Sequence, residues 1–252
     1  MILERVCGML KTYGLPGVLL GVFVAMLLSG CMTGKPASGA KSIPVREDSP
    51  SIGQLGKTDF DHLTDVEVRE NTQSLQTLMV KLYKRNPHEL RKSTTDSAEQ
   101  MAKSVFEGQH DWRFKGINEA QGIEAIQQAF HPDFSGDRVL SFIVGLQTML
   151  LKAHGGRSDF YFTDHVDPQK IYNAARNVEI AVWKLSNAHD ERGQLYLLTN
   201  EINDSERNLS FEREFGKIIG SLDLYAIALA EKQKYSLVRV VQTLATALFL
   251  PF

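Results

Sequence analysis

The sequence predicts an all-α protein, an irregular multi-helix bundle of about six to seven helices that follows a flexible tether. The stretch 137–153 is apolar on nearly every side and is followed by Gly155 and Gly156. A helix without a polar face lies at the centre of a domain, and glycines suit a left-handed cap at its end. Elsewhere, apolar residues recur at spacings of three and four, which is the period of amphipathic helices.

Three helices are predicted before the central one, over 64–85, 97–106 and 119–130. The first ends before Asn86, because Pro87 disfavours the helical conformation of the residue that precedes it. Its apolar stripe consists of Leu75, Leu78, Met79 and Leu82. Between the second and third helices, a loop is expected to cover the core with Trp112, Phe114 and Ile117.

Two helices are predicted after the central one, with a short extended excursion over 193–200 between them. Asp167 and Pro168 begin the first, as N-cap and first helical residue. Its buried face is expected to contain Ile171, Ala174, Ala175, Val178, Val182 and Leu185. Ser210 is expected to cap the second, whose apolar stripe packs in the core. That stripe consists of Phe211, Phe215, Ile218, Leu222, Tyr225 and Leu229.

The segment 237–252 is the least polar part of the chain after the N-terminal apolar stretch, and it is too short to cross a bilayer. Three interpretations compete. Pro251 would interrupt the ladder of a barrel strand, and an in-plane membrane helix would need more basic residues than Arg239 alone. Packing of a terminal helix in the core is therefore favoured.

Residues 1–30 have the profile of a signal peptide. A weakly basic start, with Arg5 and Lys11 against Glu4, precedes an apolar segment over 15–28 that is too short to span a bilayer comfortably. Immediately after it the chain reads Leu28, Ser29, Gly30 and Cys31.

These four residues resemble the lipobox of bacterial lipoproteins. The resemblance implies that a diacylglyceryl group is attached to Cys31, that the chain is cut before it, and that the new amino group is acylated. Two or three acyl chains anchor a protein stably, whereas one does not. Because Met32, and not Asp, follows the cysteine, the resemblance implies the outer membrane, facing the periplasm, more than the inner one. The alternative is an uncleaved signal anchor that contains a cysteine.

The predicted organisation is a signal peptide at 1–30, a lipidated cysteine and flexible tether at 31–58, and a helical periplasmic domain at 59–252. The chain has two cysteines. Cys7 leaves with the signal peptide and Cys31 is modified, so no disulfide is expected. Residues 1–30 hold two basic residues and one acidic residue, so the net charge of -2 becomes -3 after cleavage. This charge gives no indication of nucleic-acid binding.

Two stretches have partial resemblances to catalytic motifs, and neither is accepted. Residues 51–58 read SIGQLGKT, with Ser51 where a phosphate-binding loop has its first glycine, and they follow a proline-rich tether instead of a strand. His88 and Glu89 begin like a zinc-protease helix, but Lys92 stands where the second histidine would be. No metal or cofactor is predicted.

Histidines recur beside carboxylates, and four such groups give the only enzyme-like signal. These are His110 with Asp111, His131 with Asp133, Asp164 with His165 and Asp167, and His189 with Asp190. Capping and dipole roles are favoured, since most lie at predicted helix ends. If one group is catalytic, it is Asp164, His165 and Asp167, which follow the aromatic run at 160–162.

The sequence therefore favours a noncatalytic, lipid-anchored envelope protein that interacts with another envelope protein. The domain also resembles, in general character, uncharacterised helical lipoproteins of Gram-negative envelopes. Two alternatives are a periplasmic hydrolase, metal-assisted or not, that uses the loop between Phe160 and Asp167, and a carrier of an apolar ligand between the helices.

Overall fold

Helices dominate the part of the chain that the computed structural model describes, which is residues 59–156, 166–202 and 207–233. Seven α-helices and one 3₁₀ turn, Lys115–Ile117, lie within these ranges. The helices are α1 (Asp59–Arg85), α2 (Pro87–Ser93), α3 (Ala98–Glu107), α4 (Gly122–Ala129), α5 (Arg138–Ala153), α6 (Pro168–Asn187) and α7 (Ser210–Gln233). The predicted all-α class is confirmed.

Four long helices form an up-down-up-down bundle. Helix α1 contacts α5 and α7, and α6 contacts the same two helices from the other side. Tyr83 near the end of α1 meets Asp137 before the start of α5, so these two helices are antiparallel. Thr64 near the start of α1 meets Tyr225 near the end of α7, so these two are also antiparallel. The short helices pack outside the bundle, α3 on α1 and α4 on α5.

Helix α5 is the central element, as its composition predicts. Every residue from Arg138 to Leu150 is buried, because α1, α4 and α6 cover it. The Oδ1 atom of Asp137 accepts the backbone N–H of Leu140 at 2.9 Å and caps the helix. Gly155 and Gly156 then adopt left-handed φ values of 81° and 77°. The predicted glycine cap is confirmed.

The other predicted apolar stripes are also in the core. The α1 and α7 stripes are buried throughout, and the aromatic ring of Phe215 meets that of Phe142 edge-on at 6.4 Å. In the α6 face, Val182 alone is partly exposed. Ile117 is fully buried, while Trp112 and Phe114 pack against the core from its edge.

Several boundaries differ from the prediction. Helix α2 was not expected, but Pro87 ends one helix and also occupies an early position of the next, where its missing N–H costs nothing. Helix α4 starts later than position 119, because Asn118 and Glu119 have left-handed φ values of 55° and 57°. Ser210 is the first residue of α7 and not its cap, and Asn208 Oδ1 accepts the backbone N–H of Ser210.

The connection between α6 and α7 is partly extended, in agreement with the excursion predicted there. His189 and Leu195 form an isolated bridge, and Glu201–Ile202 pairs antiparallel with Arg207–Asn208. Among the described helices, none combines the length and apolar character needed to cross a membrane. The segments 1–58 and 237–252 lie outside the described residues.

Gly145 allows α4 to lie directly against α5. A Cβ atom at this position would stand 2.8 Å from the carbonyl oxygen of Gly122 and 2.8 Å from the backbone nitrogen of Ile126. Both atoms belong to the backbone of α4 or its start, so neither can move without displacing the helix.

We expect Gly145→Ala to destabilise the protein by about 1–3 kcal/mol, because the added methyl group overpacks this contact. Gly216→Ala is the matched control: Gly216 also lies within a helix, but a Cβ there would meet nothing within 4 Å. Alanine should stabilise that position by about 0.5–1 kcal/mol. Urea denaturation measures both changes, and a stabilising effect at Gly145 would contradict the close approach.

Candidate functional site

The structure describes only one of the three residues that the sequence singles out as a catalytic group. Asp164 and His165 lie outside the described residues, as does the aromatic run at 160–162. Asp167 Oδ1 accepts the backbone N–H of Gln169 at 2.9 Å, which makes Asp167 the N-cap of α6. The cap predicted for Asp167 is confirmed.

Two of the other predicted groups, His110 and Asp190, form hydrogen bonds within their own turns. His110 donates from Nε2 to the carbonyl oxygen of Val105 at 2.7 Å and accepts the Trp112 N–H at Nδ1 at 3.0 Å. Asp190 Oδ1 accepts the backbone N–H groups of Arg192 and Gln194, and so closes the turn after His189. In these turns the ring of His110 and the carboxylate of Asp190 bond to nearby backbone groups.

A buried carboxylate that the sequence associates with a zinc motif holds the start of α5. Glu89 is 1% exposed, and its Oε2 accepts the backbone N–H of Arg138 at 2.7 Å. Lys92, the residue that breaks the motif, donates from Nζ to Glu89 Oε1 at 2.8 Å. The guanidinium of Arg138 donates to the carbonyl oxygens of Ala129, His131 and Phe134. Glu89 and Arg138 together tie α2, α5 and the loop after α4.

Asp137 connects three helices at the same end of the bundle. Its Oδ2 accepts hydrogen bonds from Tyr83 Oη of α1 at 2.7 Å and from Ser93 Oγ of α2 at 2.6 Å, while its Oδ1 caps α5. Burial raises the pKa of Asp137 above its usual range, although these hydrogen bonds oppose the shift. Burial and the neighbouring Asp137 also raise the pKa of Tyr83 well above its usual value, so Tyr83 stays a donor.

A buried pair, Glu67 and His154, joins α1 to the end of α5 at the opposite end of the bundle from Asp137. His154 Nε2 lies 2.7 Å from Glu67 Oε2, and both side chains are almost fully buried. His154 Nδ1 lies 2.8 Å from the carbonyl oxygen of Leu150, which can only accept. One more proton must lie between Nε2 and Oε2, so the pair is either an imidazolium with a carboxylate or a neutral histidine with a protonated Glu67. Asn71 Nδ2 donates to the other oxygen of Glu67.

Tyr225 of α7 covers this pair. Its ring stacks on that of His154 with 5.8 Å between centroids. Its hydroxyl lies 2.6 Å from Thr64 Oγ1, which itself donates to the carbonyl oxygen of Phe60. Burial raises the pKa of Tyr225, so the phenol remains neutral. The cavity beside His154 measures about 10 Å³, the space of one water molecule. The geometry favours a role in joining helices over catalysis.

Outside this pair, α1 and α7 form an exposed apolar groove. We define the apolar groove by Leu63 and Val66 of α1 and Leu224 and Ala228 of α7, with Tyr225 as its floor. Leu224 is 70% exposed, although leucine is among the residues most often buried. The cavity in the groove is about 150 Å³. Further along the same two helices the surface becomes polar, with Glu70, Gln73, Thr77, Glu214, Lys217 and Ser221.

A larger cavity lies between the loop after α3 and helix α5. It measures about 530 Å³ and has both apolar and charged walls. They include Trp112, Met149, Leu151, Asp111, Glu124 and Lys152. Asp111 and Trp112 have left-handed φ values of 49° and 58°, and Gln121 Nε2 donates to both of their carbonyl oxygens. Such backbone strain clusters at functional sites. Among the described residues, no group of three histidine, cysteine or acidic residues is placed to hold a metal ion.

The sequence analysis did not identify Glu67 and His154. A signal for Glu67 exists, because Thr64, Glu67 and Asn71 continue the spacing of the α1 apolar stripe toward its N-terminus. Polar residues that continue an apolar stripe face the core and need partners there. His154 has a weaker signal, as a polar residue between an apolar helix and its glycine cap.

We expect His154→Ala to destabilise the protein by about 3–5 kcal/mol, because removing one partner leaves Glu67 buried without its counterpart. His88→Ala is the matched control, since the His88 side chain is 63% exposed although it lies 3.0 Å from Glu89. That substitution should change the stability by no more than about 0.5 kcal/mol. Equal effects of the two substitutions, measured by urea denaturation, would exclude a structural role of the buried pair.

We expect Asp137→Ala to cost about 2–3 kcal/mol, through loss of the cap and of the acceptor for the buried Tyr83 hydroxyl. Asp137→Asn retains the cap and should cost less. Because the pKa of Asp137 is raised in the fold, its charged form is disfavoured there relative to the unfolded chain. The stability of the natural protein should therefore fall relative to that of Asp137→Asn as the pH rises above 3.8, the usual pKa. A relative stability that rises with pH in the same titration would contradict this sign.

The functional interpretation of the chain depends on the chemistry of its own residues, because comparisons with known proteins give no match. No model of a protein family, no curated protein and no solved structure matches the chain. We therefore interpret four features from their own chemistry: the bundle, the buried contacts of Asp137 and of the Glu67–His154 pair, the apolar groove and the large cavity.

Proposed function

We propose that the protein is a lipid-anchored, noncatalytic lipoprotein of the cell envelope that faces the periplasm and engages another envelope protein. The observation that carries this proposal is the sequence Leu28, Ser29, Gly30 and Cys31 directly after an apolar segment of signal-peptide length. The three acyl chains that the lipobox resemblance implies for Cys31 would anchor it stably. Met32 at the next position supports the outer membrane as its location.

The arrangement of the described domain supports an interaction role. The buried acidic residues near α5 bond to helix ends and to neighbouring helices, as Glu89, Asp137 and Glu67 do. Residues 31–58, for which the sequence predicts a flexible tether, precede helix α1 (Asp59–Arg85). A flexible chain of this length has an end-to-end distance of roughly 30 Å. The domain would then reach partners well away from the lipid surface.

Of the two alternatives, the ligand carrier has a specific observation in its favour. The cavity beside Trp112 measures about 530 Å³, within the usual range for small-molecule sites. Its walls combine Trp112 and Met149 with Asp111 and Lys152, which would suit an amphipathic ligand better than a purely apolar one. The hydrolase alternative depends on the loop before Asp167, which the structure does not describe.

We expect Cys31→Ala to abolish incorporation of a labelled fatty acid and to release the processed form from the membrane fraction or block its formation. Cys7→Ala is the matched control, because Cys7 is the only other cysteine and would leave with the signal peptide. It should incorporate the label normally. Metabolic labelling with an alkyne palmitate, followed by mass measurement of the N-terminal peptide, reads out both variants.

Label retained in Cys31→Ala, or lost in Cys7→Ala, would refute the lipoprotein assignment. Crosslinking in intact cells with the same variants tests the interaction role. A defined envelope protein that crosslinks to the natural chain and to Cys7→Ala, but not to Cys31→Ala, is the expected result. If no protein crosslinks to the natural chain, the interaction role is wrong, and lipid or small-molecule binding becomes the leading hypothesis.

A further inference from the structure

We propose that the protein forms a dimer through the outward face of α7, with the α7 helices of two copies packed antiparallel. This face is a row of six residues that we call the α7 stripe: Arg213, Lys217, Gly220, Leu224, Ile227 and Glu231. The inference goes beyond the proposed function and does not depend on the lipid anchor.

The α7 stripe is continuous and exposed. Its members are spaced by four, three, four, three and four residues, the spacing of a coiled-coil seam along one face of a helix. All six are exposed, and the two large apolar ones, Leu224 and Ile227, are 70% and 51% exposed. Helices α1 and α6 pack against other sides of α7. Exposed apolar residues with this spacing indicate a surface that packs against another helix.

The order of the residues makes the α7 stripe complementary to its own reverse. Positions 213 and 231, 217 and 227, and 220 and 224 are pairwise equidistant from position 222. An antiparallel pair of α7 helices centred at that level therefore sets Arg213 of each copy opposite Glu231 of the other. A parallel pair would set like charges together, which is unfavourable. The charge pattern thus indicates a second copy, in antiparallel orientation, as the occupant of this face.

The middle of the α7 stripe allows close packing. A Cβ atom at Gly220 would meet nothing within 4 Å, so the surface is open at the position that faces Leu224 of the second copy. The leucine can then insert above the glycine as a knob into a hole. Leu224 also borders the apolar groove, where Leu63 and Val66 of α1 are 46% and 41% exposed. These two side chains flank the stripe and extend the apolar area available to the second copy.

The charged residues at the two ends of the stripe are accessible to a second copy. The Arg213 side chain is 70% exposed, and its Nε lies 3.7 Å from Glu214 Oε1, beyond hydrogen-bond distance. Glu231 is also exposed. Lys217 Nζ already donates to Glu214 Oε2 at 2.9 Å, so its aliphatic stem is the part that would lie against Ile227 of the second copy. Arg213 and Glu231 of one chain are about 27 Å apart along α7, at 1.5 Å per residue, and cannot pair with each other.

Sedimentation equilibrium of the full chain in a density-matched detergent tests the proposal. We expect the natural chain to dimerise reversibly at micromolar to sub-millimolar concentrations. Leu224→Asp should weaken dimerisation by about tenfold or more, since it buries a charge at the seam. Leu198→Asp is the matched control and should have no effect, because Leu198 is 49% exposed but lies in the connection before α7. Hydrogen-exchange protection of the α5 amides shows that each variant remains folded.

Charge reversal tests the antiparallel register. Arg213→Glu and Glu231→Arg should each weaken dimerisation by about tenfold, because like charges then face each other across the seam. The double variant should restore dimerisation. An equimolar mixture of the two single variants should restore it as well, because each chain then supplies the charges that the other needs. Pairing within one chain cannot produce this restoration, since the two positions are too far apart.

A natural chain that stays monomeric over this concentration range would overturn the proposal. So would dimers that persist unchanged in Leu224→Asp, which would place the interface on another surface. If Leu224→Asp dissociates the dimer but neither the double variant nor the mixture restores it, the antiparallel register is wrong. None of these results bears on the lipoprotein assignment, which labelling of Cys31 tests separately.

Discussion

The burial of α5 from Arg138 to Leu150 is the constraint from which the rest of the structure follows. A helix that contacts protein on every side gains apolar burial, but the unpaired N–H and C=O groups at its ends then need partners within the protein. Both ends must therefore be satisfied by the protein itself. Asp137 and Glu89 accept the N–H groups at the start, and the glycines after Ala153 provide backbone donors at the end.

Two buried polar contacts, Glu67 with His154 and Tyr83 with Asp137, also fix the register of α1 against α5. Apolar side chains such as Leu78 and Leu146 tolerate a small sliding motion, because one apolar contact replaces another. The polar contacts do not tolerate it. Moving α1 by one turn would separate Glu67 from His154 at one end and Tyr83 from Asp137 at the other, and each buried group left without a partner costs about 1–3 kcal/mol. The two polar contacts, one near each end of α1, therefore fix the position of α1 along α5.

The fold could be predicted from the sequence where one local signal decides the outcome. Asp137, Asp167 and Gly155 mark helix ends by their own chemistry, and the α7 stripe marks its own buried face. Helix α2 was missed because Pro87 gives the same signal for a break and for a new start.

The candidate site was much less predictable, because its residues meet only through the fold. Glu67 and His154 are 87 positions apart, and nothing in their local sequence pairs them. The same holds for Leu63 and Leu224, which are ordinary exposed residues on their own helices and form a groove only where α1 and α7 pack together. Neighbouring histidines and carboxylates were easier to notice, but adjacency along a chain mostly produces turns and caps.

The described bundle also has its entry and exit at the same end, where Phe60 stacks on Tyr225 and Lys232 lies over the Phe60 ring. An even number of long helices that alternate in direction makes this unavoidable. A domain whose two ends adjoin can be inserted into a loop of another protein, or its helices can be reconnected in a different chain order, while the same helices remain neighbours. The packing of the four helices therefore does not depend on their order along the chain.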